Sequence, residues 1–152
     1  MRLNNVMFTF AGLLAGVGLS LATVASPVST ASAQADAHAA AQKAQVMSTI
    51  YHLDKVGFHG LEDSAKAGTI PAGALGNVRR ARIQMMATDW PDSMKEMATK
   101  LGGHMMELEE ALRTEDAARA AGPATEVHEI EHDLSEAVYQ MLSGNAPAPA
   151  PH

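Results

Sequence analysis

Asp92-Ser-Met-Lys-Glu-Met-Ala-Thr-Lys-Leu-Gly-Gly-His-Met-Met-Glu-Leu-Glu-Glu-Ala-Leu-Arg113 carries apolar side chains at Met94, Met97, Leu101, Met105, Leu108 and Leu112. Steps of three and four put all six on one stripe of an α-helix, close to heptad spacing. Such a stripe has to be buried against other helices. A run of methionines at this spacing reads as adaptable core rather than as a ladder of copper ligands.

The same composition extends on both sides. From residue 34 onward the chain is rich in Ala, Met, Leu, Glu and Lys, poor in β-branched and aromatic residues, and nowhere alternates with period two. These are the marks of an all-α protein. A first helix is predicted from about Asp36 to Ala67, with Val46, Met47, Ile50, Leu53, Phe58 and Leu61 inward and a stop at Gly68. Thr69-Ile70-Pro71 turns into a second helix, about Ala72 to Thr88, carrying Leu75, Val78, Ile83, Met85 and Met86. Asp89-Trp90-Pro91 ends it, because proline suits a first helical turn and not an interior. After the Asp92–Arg113 helix, Thr114 to Gly122 reads as a short connection, and Pro123 opens a last helix that ends at Gly144. Four amphipathic helices with short connections imply an antiparallel four-helix bundle over residues 36–144, followed by an extended, disordered Ala/Pro-rich tail, 145–152.

The N-terminus decides where this bundle works. Arg2 precedes the apolar run from Val6 to Ala25, and Ala31-Ser32-Ala33 has the small-x-small form of a signal-peptidase site. Residues 1–33 are therefore read as a signal peptide cleaved after Ala33, and the protein as periplasmic or secreted. The competing reading is a retained membrane anchor, since the run is about long enough to span a bilayer. Cleavage removes Arg2 alone among charged residues, leaving 10 basic against 17 acidic residues, a net charge of −7. That sign argues against nucleic acid or anionic lipid as partner, and no membrane association is expected after cleavage. The bundle is expected as a monomer or homodimer, with no protein partner specified.

There is no cysteine. Disulfides, thiolate metal sites and covalent heme attachment through C-x-x-C-H are excluded.

His128-Glu-Ile-Glu-His132 fits the H-E-x-x-H pattern of zinc peptidases, in which two histidines one turn apart bind zinc and the glutamate, here Glu129, polarises water. A third ligand from a second rigid element is missing downstream, where only Asp133, Glu136 and His152 remain. With no cleft-forming subdomain and no nucleophile–base pair either, an enzyme is not expected.

On a helical wheel, Val127, Ile130, Leu134, Val138 and Met141 fall within an arc of about 80°. His128, His132, Ser135 and Tyr139 form a flanking stripe, and Glu126, Glu129, Asp133 and Glu136 face away. The two histidines thus sit at a helix seam, where a metal or a flat cofactor can be held. His104 lies at the edge of the methionine stripe. His52, His59 and Asp63 face away from the first helix's apolar side and read as solvated, whereas Asp54 falls near the core arc, with Arg79 or Arg82 as its expected partner.

Lys66-Ala-Gly68 with Thr69-Ile70-Pro71, then Trp90-Pro91, then Glu109-Glu-Ala-Leu112, and His132-Asp133 on the last helix form an order of landmarks that resembles the cytochrome c-prime family. The resemblance covers about residues 42–142 and implies an exported four-helix bundle. It sets His128 and Glu131 at the two cysteine positions of the heme-attachment motif and His132 at that of the axial ligand. The thioether links cannot form here. What it still implies is non-covalent heme on His132, with Met47 or His52 opposite; the wheel puts Met47 inward and His52 outward. Tyr51, Phe58, Trp90 and Tyr139 are the aromatic residues available to line such a pocket.

Three readings follow: non-covalent heme on His132 with Met47 or His52; a transition metal such as Zn, Cu or Ni on His128 and His132, with Glu131 or His104 completing the shell; or a cofactor-free structural or protein-interaction bundle.

Overall fold

The computed structural model describes residues 27–144. The expected signal peptide up to residue 26 and the expected tail, 145–152, lie outside the described residues. Among the described residues every regular element is helical: α1 (Pro27–Val56), α2 (Phe58–Lys66), α3 (Ala74–Met86), α4 (Asp92–Arg113) and α5 (Ala117–Ser143). None of these helices is long and apolar enough to cross a membrane. Ala31-Ser32-Ala33, the expected cleavage site, is helical and exposed within α1.

The helix expected over 36–67 is two helices. Gly57 adopts φ 70°, the left-handed region that glycine alone enters without steric cost, and it divides α1 from α2. Its N–H donates to the Asp54 carbonyl and its carbonyl accepts from the Leu61 N–H, so backbone pairing continues through the break. The second correction concerns Pro123. It lies inside α5, which begins six residues earlier, where the Asp116 carboxylate accepts a hydrogen bond from the Arg119 N–H at 2.9 Å. That cap satisfies one of the orphan donors of the first turn, and burial of Ala120 and Ala124 holds the segment helical despite the proline.

Packing makes a four-helix arrangement in which α1 and α2 together take the place of the first helix. Helix α1 packs on α3, α3 on α4, α4 on α5, and α5 returns to α2. Val46, Leu53, Met85, Leu101, Met105, Leu108, Val127 and Leu134 fill the centre. Helices α3 and α4 approach closely at Gly102, where a β-carbon would stand 2.7 Å from the Met86 sulfur. The turn after α3 is tied inward. The Trp90 indole N–H donates to the Met85 carbonyl at 2.9 Å, and the buried hydroxyls of Thr49 and Thr88 share a hydrogen bond of 2.7 Å that joins α1 to the end of α3.

Met47, expected inward, faces water instead, as do Ile83 and Met86 of the second helix; each is more than half exposed. Their helices have one side each in the core, and Val46, Ile50 and Leu53 on α1, with Val78, Ala81 and Met85 on α3, already fill those arcs. Asp54 is also exposed, and Arg82 pairs with Glu109 of α4 rather than with it.

Candidate metal centre

Phe58, Leu61, Glu62 and Ala65 are the buried face of α2, at spacings of three, four and seven. Three of them are core side chains and the fourth is a carboxylate. A buried charge is tolerated only when it is paired and hydrogen-bonded, and Glu62 meets that condition on both oxygens. Its Oε1 accepts from the Lys66 ammonium at 2.5 Å, one turn along α2, and from the Thr125 hydroxyl of α5 at 2.8 Å. Its Oε2 lies 2.6 Å from Nδ1 of His128, also on α5. The Lys66 ammonium and then the Thr125 hydroxyl, helped by His128, outweigh burial and hold the Glu62 carboxyl at about 2, so it is ionised at neutral pH.

An ionised carboxylate at hydrogen-bond distance assigns Nδ1 of His128 as the protonated nitrogen and leaves Nε2 free to carry a lone pair. A carboxylate that orients an imidazole in this way is the usual support of a metal-bound histidine. A second imidazole is beside it. The rings of His59 and His128 lie 5.0 Å apart, centroid to centroid, tilted by 55°. One ligand-type atom from each of His59, Glu62 and His128 lies within 4.8 Å of the others, the one group of three or more such side chains among the described residues that comes this close. His59 is exposed and half-paired with Asp63 at 3.5 Å, so one side of the cluster opens to solvent.

No protein-family model, curated protein or solved structure matches the chain.

The ligand set expected from sequence is dispersed. His128 stands at the seam as the wheel implied, but its partners are on α2. His132 is exposed and shares with Glu131 an open groove of about 240 Å³ between α1 and α5, lined also by Asp54, Ser135, Glu136 and Tyr139. Glu131 accepts from the Ser135 hydroxyl at 2.8 Å. His104 is half-buried on α4 beside Glu107 of its own helix, 3.3 Å away. None of the three joins His128 in a converging group.

These residues also do not fit a heme. Met47 is 51% exposed, and His52 is exposed with its Nδ1 2.7 Å from the Ser48 carbonyl, so neither projects into the bundle opposite His132. The groove at His132 brings Asp54, Glu131 and Glu136 to where a porphyrin face would need apolar walls.

The sequence reading missed Glu62, and with it Lys66 and Thr125 as partners. The signal was nevertheless there. Glu62 occupies a buried slot of the Phe58 stripe, follows His59 by three residues and precedes Lys66 by four, which puts imidazole, carboxylate and ammonium on neighbouring turns.

Proposed function

We propose that the chain is an exported, antiparallel four-helix bundle, similar in layout to cytochrome c-prime but without heme, and that it binds a transition metal at the seam of α2 and α5. The ligands are the imidazoles of His59 and His128, with Glu62 as the carboxylate that orients His128. The observation that carries this reading is the convergence of two imidazoles and an ionised carboxylate from two helices within 4.8 Å. Neutral imidazole with carboxylate suits Zn, Cu or Ni. Two histidines leave positions for water or an external ligand, on the side where His59 meets solvent. No catalytic role is assigned.

A cofactor-free scaffold is the second reading, and one observation favours it. Among the described residues every buried side-chain nitrogen and oxygen already has a hydrogen-bond partner, so the Glu62 network is complete without an ion.

One experiment separates the two. The protein, purified without chelator, is assayed for bound metals and then titrated with zinc and with copper(II). Metal binding predicts one equivalent bound, lost in His59→Ala with His128→Ala and retained in His132→Ala. Absence of any stoichiometric metal, or full retention in the double variant, leaves the scaffold.

A further inference from the structure

We infer that the groove between α1 and α3 is a binding site for a small organic anion, a carboxylate or phosphate head on a short apolar body. In a chain of net charge −6, this groove of about 350 Å³ is lined by no acidic residue. Lys55 and Arg80 supply its charge, and Val56 and Ala81 supply an apolar floor. His52 and Gln84, whose side-chain nitrogens lie 3.2 Å apart, are also on its wall.

Two features make this more than scattered surface charge. Neither Lys55 nor Arg80 forms an ion pair with a carboxylate among the described residues; Lys43, Arg79, Lys100 and Arg119 are likewise without one, but of these six only Lys55 and Arg80 line this groove. Lys55 and Arg80 face one cavity from two different helices. The guanidinium is also positioned in advance. Its Nη2 donates to the side-chain oxygen of Asn77 at 2.6 Å, and its Nη1 lies 3.4 Å from where a β-carbon on Gly76 would stand. A neutral amide fixes the fork without cancelling its charge, so donors remain for a bidentate oxyanion contact. The Lys55 ammonium, 5.1 Å above the Tyr51 ring, adds a point charge on the α1 side. A cavity of this size accommodates a small molecule rather than a macromolecule.

The test uses metal-free protein labelled for amide NMR and titrated with benzoate, phenyl phosphate and the neutral benzamide. Saturable shifts confined to residues 52–56 and 77–84 are expected with at least one of the anions and not with benzamide. Lys55→Gln and Arg80→Gln, both on exposed positions, each weaken binding by roughly tenfold, as loss of one charge-assisted contact should. Preference for benzoate or for phenyl phosphate identifies the head group, and either outcome upholds the site. No saturable shift with either anion, equal shifts with benzamide, or undiminished binding in the double variant overturns it. Because the metal centre lies on α2 and α5, neither result bears on the metal proposal.

Discussion

Glu62 stands where a leucine would pack, and its neighbours explain why it is kept charged. Its carboxyl is held at about 2 against an ordinary 4.5, first by the Lys66 ammonium and then by Thr125. The folded protein therefore binds this proton less readily than the unfolded chain does. The stability contributed by Glu62 is complete above the unfolded value near 4.5 and is lost as pH falls toward 2. Glu62→Gln should lower stability at neutral pH by about 1–3 kcal/mol, because Lys66, Thr125 and His128 lose a charged acceptor inside the seam. Urea unfolding at pH 7, 4.5 and 3 checks both parts: the gap between wild type and variant should shrink through the acid window. A gap of constant size down to pH 3 would contradict the assignment. At this scale the sequence was half legible. The period of α5 marked His128 as a seam residue, but its partner is on a helix whose rotation only the packing sets, and no motif joins positions 66 residues apart.

At the scale of the element, helix type was readable, whereas the division of the first helix and the start of the last were not, each for a local reason. Apolar residues of the first helix step by four and three from Val46 to Leu53, then by five to Phe58, then by three to Leu61. A step of five departs from helical phase, and Gly57, at φ 70°, is where the chain absorbs it. The start of α5 was hidden differently. The core-facing residues of its first turns are Ala120 and Ala124, which in an alanine-rich chain carry no apolar contrast, so Pro123 looked like the beginning. An interior proline removes a backbone donor and crowds the carbonyl of Arg119. Pro123→Ala should therefore stabilise the fold by about 1–3 kcal/mol, the relief of the helix break less the added freedom of the unfolded chain. A raised midpoint in thermal unfolding with unchanged helical circular dichroism is the expected result; a lowered midpoint would mean that α5 depends on the bend.

Across the whole molecule, the same stripe slot has been given to a carboxylate twice. Glu109 follows Met105 by four residues, as Glu62 follows Phe58, and each is buried at a seam between helices. Their partners differ. Glu109 faces the Arg82 guanidinium of α3, with Nε at 2.5 Å, an ion pair that closes on itself. Glu62 divides its charge among an ammonium, a hydroxyl and an imidazole that has a second histidine beside it. Replacing a buried pair by apolar groups of similar size is commonly neutral or stabilising by about 1–4 kcal/mol, whereas removing one member strands the other. Arg82→Met with Glu109→Leu should thus preserve or raise the unfolding midpoint and leave metal uptake intact. Glu62→Leu with His128→Leu should also preserve the fold, since Thr125 still bonds to the Ala121 carbonyl and the exposed Lys66 returns to water, yet it should abolish metal uptake. Thermal unfolding and zinc stoichiometry on the same two variants distinguish a seam kept for architecture from one kept for a ligand. Equal metal binding in both would assign the α2–α5 carboxylate to architecture as well.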